Sequence, residues 1–235
     1  MKKIICMIVA LIMVSSGCNN KGKEFYKQGT DKYMYDDFAG AISDYTKAIE
    51  IDPDLALAYH MRGKAKDYLQ DYWGAIADFD KAIEIDPKQA STYACRANSK
   101  SYLSDYLGAI SDYTKAIEID PKDATAYQNR GETKIYLKDY WNAIADFNKA
   151  IEINPKYARA YCNRGHAKYY LKDPSQAIND YTLAIENDPE YAFAYYNRGM
   201  VKISYDQKET GCLDLSKAGE LGYAQAYDAI KEYCQ

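Results

Sequence analysis

A single 34-residue unit, written six times in succession, constrains this chain more than anything else in it. The third copy contains YACRANSKSYLSDYLGAISDYTKAIEIDP and the fourth YQNRGETKIYLKDYWNAIADFNKAIEINP, alike at most positions without a gap. A period of this length marks a solenoid, in which each small unit buries its apolar face against its neighbours and the stack offers a long surface. The expected copies are residues 22–55, 56–89, 90–123, 124–157, 158–191 and 192–221, and places are counted from the first residue of each.

Within the unit, apolar positions fall at helical spacing in two segments. The first carries a large aromatic at place 4 (Phe25, Tyr59, Tyr93, Tyr127, Tyr161, Tyr195) and a small residue at place 8 (Gly29, Gly63, Ala97, Gly131, Gly165, Gly199). Four residues apart, they share a face, where the small side chain lets a neighbouring helix approach closely. The second carries Ala at place 20 (Ala41, Ala75, Ala109, Ala143, Ala177), an aromatic at place 24 and Ala at place 27. Pro at place 32 (Pro53, Pro87, Pro121, Pro155, Pro189) ends that helix and disfavours helical geometry in the residue before it. Each copy is expected to be a helix, a tight turn and a second helix.

Aromatic, Gly, Ala, aromatic, Ala and Pro at these spacings resemble the tetratricopeptide repeat over residues 22 to about 221. The resemblance implies an all-α fold, a right-handed superhelical solenoid of six helix-turn-helix repeats. In that family the first helix of each pair lines a concave groove that takes a peptide segment or another protein. The sixth copy departs from the pattern with Gly211, Leu215 and no final Pro, as terminal solenoid units commonly do. Residues 222–235 then read as a capping helix, with Tyr223, Ala226, Tyr227, Ile230 and Cys234 on one face.

The N-terminus sets an expected compartment. Lys2 and Lys3, an apolar run from Ile4 to Val14, and Ser15, Ser16 and Gly17 before Cys18 have the layout of a signal peptide over residues 1–17. As a helix the apolar run would span about 16 Å, roughly half a bilayer core, so removal is expected rather than retention. Cys after small residues resembles the lipobox of bacterial lipoproteins, although Ser15 stands where that motif usually has Leu, Val or Ile. The resemblance implies lipidation of Cys18, with ordinary secretory cleavage as the alternative. Residues 18–24 would then tether a lipid-anchored envelope protein, at the outer membrane in preference to the inner. Losing residues 1–17 removes two of 30 basic and none of 34 acidic residues, moving the net charge from −4 to −6. An acidic chain without a basic run excludes nucleic acid as a partner.

Place 23 is Asp in every copy (Asp44, Asp78, Asp112, Asp146, Asp180, Asp214), and place 7 is Arg in copies two to six (Arg62, Arg96, Arg130, Arg164, Arg198) but Gln28 in the first. The gap at Gln28 suggests that each Arg meets the Asp of the preceding copy, beginning with Asp44 to Arg62. Lys at place 11 (Lys32, Lys66, Lys100, Lys134, Lys168, Lys202) is placed to meet the Asp of its own copy. The competing reading of the whole pattern is a solvated helix face.

The first-helix face supplies the candidate binding residues. Tyr68, Tyr102, Tyr136 and Tyr170 occupy place 13, which borders the groove in the family, and a Tyr row suits a protein interface. Packing between adjacent first helices is an equal alternative, and one ring could do both. Around the row, the more variable places offer His60, Asn98, Gln128, Asn129, Glu132, Arg159, Asn163, His166 and Tyr169. Family members that hold chaperone C-termini resemble one another in a clamp with Lys at place 5. Here that place reads Tyr26, His60, Ala94, Gln128, Cys162 and Tyr196, so no chaperone clamp is expected.

Trp73 and Trp141, at place 18 of copies two and four, are expected to pack against neighbouring helices, with an exposed second interaction site or a membrane-facing pair as the alternatives. Cys212 and Cys234 flank the final helical turn at equal distances, which makes them candidates for a disulfide in an oxidising compartment. No catalytic constellation, metal spacing or cofactor motif is found. The expected function is a non-enzymatic, membrane-tethered scaffold that binds a protein or peptide. The alternative is a self-associating structural lipoprotein with no groove ligand.

Overall fold

The computed structural model describes residues 21–235; the expected signal segment, Cys18 and the other residues up to 20 lie outside the described residues. Among the described residues there are 13 helices and no strand. They fall into two compact units that divide after Ile119. The first holds α1 (residues 21–34), α2 (Phe38–Ile51), α3 (Ala56–Tyr68), α4 (Tyr72–Ile85), α5 (Ala90–Tyr102) and α6 (Tyr106–Ile119). The second holds α7 (Ala124–Tyr136), α8 (Tyr140–Ile153), α9 (Ala158–Tyr170), α10 (Pro174–Asn187), α11 (Ala192–Ser204), α12 (Lys208–Glu220) and α13 (Gln225–Tyr233). Because α1 already includes residues 21–24, the expected tether shortens to the residues before 21.

Every first helix ends in the same way. The residue at place 15 is left-handed in all six copies (Asp36, Gln70, Ser104, Lys138, Lys172, Asp206; φ 59–65°). In the second copy Gln70 N–H donates to the Asp67 carbonyl and Asp71 N–H to the Lys66 carbonyl, both at 2.9 Å, the paired bonds of a Schellman stop. Asp71 then caps α4 by accepting from Gly74 N–H at 3.0 Å, and Asp37 does the same for α2 through Gly40. The chain therefore reverses in three residues, and the two helices of a copy run antiparallel.

Between them lies a core of small and aromatic residues. The alanines at place 20 are fully buried, and so are the rings of Tyr45 and Phe79 in the first unit and Phe147 in the second. The rings lie against the place-8 residue of the first helix. A Cβ on Gly63 would stand 2.7 Å from Phe79 Cε1, which is why that place is kept small.

The buried Asp at place 23 ties the hairpin together, and it corrects the expected Arg pairing. Arg62 does not reach Asp44; it forks onto Asp78 of its own copy, with Nε to Oδ2 at 2.9 Å and Nη2 to Oδ1 at 2.6 Å. The same bidentate pair forms between Arg96 and Asp112, Arg130 and Asp146, Arg164 and Asp180, and Arg198 and Asp214. The reason is symmetry about the turn. Places 7 and 23 stand equally far from place 15, so antiparallel helices bring them opposite each other. Lys at place 11 completes the site from one turn further along, at 2.8 Å from Asp78 and 2.7 Å from Asp146.

The gap at Gln28 has a different cause from the one expected. The remaining Arg nitrogen, Nη1, reaches back to place 25 of the preceding copy: Arg62 to Thr46 at 3.0 Å, Arg96 to Asp80 at 2.5 Å, Arg164 to Asn148 at 2.7 Å and Arg198 to Thr182 at 3.0 Å. Among the described residues the first copy has no predecessor to reach. There Lys32 and Lys47 hold Asp44 at 2.6 and 2.9 Å. Burial pushes the Asp44 carboxyl up, and the two ammonium groups more than reverse this and hold it below the usual carboxylate range.

A disulfide joins Cys212 in α12 to Cys234 just after α13, with Cα atoms 5.8 Å apart. It fastens the terminal helix, whose buried residues are Ala226 and Ala229; Tyr227 stays exposed and donates its hydroxyl to the Gly219 carbonyl at 3.0 Å. Tyr223 packs on Phe193 and Tyr196, closing the first-helix face of the last copy.

Removing one member of the buried ionic site should cost according to what it leaves unpaired. Asp146→Asn strands two cations, Arg130 and Lys134, and is expected to lower stability by about 3–5 kcal/mol. Arg130→Met leaves Asp146 paired with Lys134 and should cost less than Asp146→Asn. Urea midpoints of the two variants check the order.

Candidate functional site

In each unit, successive first helices lie side by side and exchange polar contacts. In the first unit, His60 of α3 is 93% buried and its Nδ1 lies 3.0 Å from Thr92 Oγ1 of α5. The Thr92 hydroxyl has one hydrogen, which it donates to Gln89 Oε1 at 2.9 Å, so its oxygen accepts from Nδ1–H. One turn on, Ser99 of α5 donates to Asp67 of α3 at 2.5 Å. Lys64, between His60 and Asp67, reaches over the Tyr33 ring at 5.3 Å. Burial raises the Asp67 carboxyl, which the Ser99 bond partly offsets, and burial pushes the Cys95 thiol up to about 11.

The second unit builds its face differently. Arg159 pairs with Glu132 at 2.7 Å, Gln128 donates to the same Glu132 oxygen at 2.9 Å, and Asn163 donates to Gln128 at 3.3 Å. Gln128 is fully buried, Asn163 nearly so, and Arg159 is exposed. His166 is half-buried, edge-on to Tyr170 at 4.9 Å, and burial lowers its pKa.

These contacts separate the candidate residues into two sets. His60, Gln128 and Asn163 form the wall between neighbouring first helices, and Asn98 accepts from the Tyr113 hydroxyl. Arg159, Asn129 and His166 keep surface on the face. Lys64 and Asp67 belong beside them, at places 9 and 12, and their spacing from His60 carries that signal. Thr92 and Ser99 come from the neighbouring copy, and only packing brings them in.

The Tyr row sits apart, at the turn edge. Tyr68 stacks on Phe38 of the preceding copy with centroids 4.7 Å apart and planes within 3°, and Tyr102 on Tyr72 at 4.8 Å. In the second unit Tyr170 stacks on Tyr140 at 5.0 Å. Each ring packs on one face and meets solvent on the other, and Tyr136 is exposed as well. The expectation that Trp73 and Trp141 pack against helices is overturned: they are 74% and 73% exposed. Place 18 follows the capping residue by two, on the side of the second helix turned away from its partner.

His60 supplies a pH test. Burial, with Lys64 nearby, lowers its pKa from 6.5 to about 4, so the unfolded chain binds more protons between these values. Stability from this residue is complete above pH 6.5 and lost as pH falls toward 4, by up to about 3 kcal/mol. His60→Gln should flatten that part of the melting temperature profile.

No curated protein matches the chain in sequence. Among solved structures, MamA is 26% identical, covering 70% of this chain and 96% of its own with a TM-score of 0.66. YrrB, described as a tetratricopeptide protein with an unusual peptide-binding site, is 24% identical over 80% of this chain and 97% of its own, with a TM-score of 0.63. PilW, described as a widely conserved type IV pilus biogenesis factor, is 15% identical over 89% and 97%, with a TM-score of 0.79. Tetratricopeptide repeat models match residues 56–89, 90–123, 112–145 and 158–191, and a further model of the repeat matches 133–172. Residues 56–191, more than half of the chain, are thus accounted for as helix pairs of one kind, and the chain belongs to the tetratricopeptide repeat proteins.

Proposed function

We propose that this chain is a non-enzymatic scaffold, tethered to a membrane through Cys18, that binds a peptide segment or another envelope protein on its first-helix face. The observation that carries the reading is where the copies differ. The ionic site, the alanines and the turn repeat, whereas first-helix places 5, 9 and 12 change from copy to copy and build a different polar wall in each unit. A surface whose chemistry changes along its length can recognise a particular sequence; a uniform one cannot. The peptide-binding site of YrrB and the pilus biogenesis role of PilW support a binding function and an envelope setting.

Among the described residues no helix is long and apolar enough to cross a membrane. With α1 already formed at residue 21, a lipidated Cys18 would hold the first copy within about 10 Å of the lipid surface. The exposed Trp73 and Trp141 favour one other reading, a self-associating structural lipoprotein.

A photo-crosslinker at position 98 or 129 should trap a discrete protein partner in the native envelope, and one at Glu84, on a second helix, should not. Adducts only with the chain itself would favour self-association. Cys18→Ser is expected to abolish acyl labelling and move the protein from the membrane pellet to the supernatant. Retention in the pellet would refute the lipid tether.

A further inference from the structure

The turn edge of the first unit is a second surface, separate from the first-helix face. Tyr68, Trp73, Tyr102 and Leu107 are all exposed there, at places 13 and 18 of consecutive copies. The tyrosines are held by their stacks on Phe38 and Tyr72, so the ridge is preformed rather than a set of loose side chains. A recurring row of exposed large apolar groups calls for a covering partner.

Charge identifies what that partner is. The turns beside the ridge carry exposed Asp36, Asp37, Asp71 and Asp105. The lysines of the same segments, Lys32, Lys66 and Lys100, are each committed to a buried Asp at 2.6–2.8 Å. Lys64 lies over the Tyr33 ring, which is edge-on to Tyr68, so the acidic part of the edge is the stretch around Trp73 and Tyr102, beside Asp71 and Asp105. The corresponding turns of the second unit differ, because Lys138 and Lys172 stand where the first unit has Gln70 and Ser104.

We propose that the turn edge of the first unit docks a basic, extended segment of a partner protein. Its Arg or Lys side chains would lie over the Trp73 and Tyr rings and pair with Asp71 and Asp105. Cations bind aromatic faces most strongly at Trp, and flanking carboxylates supply both attraction and steering. A lipid surface fits less well, since several carboxylates would have to be pressed against the headgroups. This docking does not depend on a ligand on the first-helix face, and its failure leaves that reading untouched.

The test uses the mature chain and a dye-labelled peptide of alternating Arg and Gly, followed by fluorescence anisotropy. Saturable binding is expected, with the matching Glu peptide giving none. Trp73→Ala and the pair Asp71→Asn with Asp105→Asn should each weaken it by about tenfold. Asn caps a helix as well as Asp, so the paired variant keeps its turns. Asp139→Asn, at the corresponding turn of the second unit, should leave binding unchanged. An equal loss with Asp139→Asn, or none with Trp73→Ala, would reduce the binding to general charge and overturn the proposal. So would Trp73-dependent binding to phosphatidylcholine vesicles without peptide binding, or Trp73-dependent dimers in sedimentation.

Discussion

The carboxylate at place 23 is the interaction on which the rest depends. A buried Asp is costly unless every lone pair finds a donor, and here an Arg fork and a Lys from the facing helix supply them. Such a site contributes less to net stability than to uniqueness, because any other register of the two helices would strand a charge in the core. The surrounding packing follows from it. The Arg stem crosses the place-4 ring, with the guanidinium 5.3–5.6 Å from the Tyr centroid in copies two to six. Alanines and glycines then let the helices approach closely enough for the fork to close.

The same side chain also links one copy to the next within each unit. Arg uses two nitrogens inside its hairpin and one outside, so folding of a copy and docking onto its predecessor share a residue. Lysine could not do this, having no planar fork to divide between two partners. That division fits the absence of the Arg from the first copy: its Asp is held by lysines, and among the described residues no earlier copy offers a place-25 acceptor.

The fold was legible because the period, the place-8 and place-20 small residues and the Pro stops are local and repeated. The partner of each Arg was misread because an absence at Gln28 has two explanations in sequence. It can mark a missing Asp acceptor or a missing place-25 acceptor, and only the symmetry of the hairpin about place 15 separates them. Trp73 and Trp141 were misread for a related reason. Large rings are usually buried, but place 18 lies about 200° round the helix from the buried place-20 Ala, and a ring's hydrophobicity alone does not carry that direction. On the first-helix face, spacing put His60, Gln128 and Asn163 on the right helices but did not carry their burial: His60 meets Thr92 and Asn163 meets Gln128 across copies, contacts that leave no periodic trace, whereas Gln128 meets Glu132 one turn along its own helix.

The turn residue shows how fold and surface chemistry are kept apart. Place 15 is left-handed in every copy, a conformation that costs a non-glycine residue about 1–2 kcal/mol, and glycine is the usual occupant of such a stop. None of the six copies uses it. Asp, Gln, Ser and Lys stand there instead, so each unit accepts backbone strain to keep a polar side chain at its turn edge. Those side chains, together with the exposed rings beside them, give the edges of the two units different charge on the same scaffold.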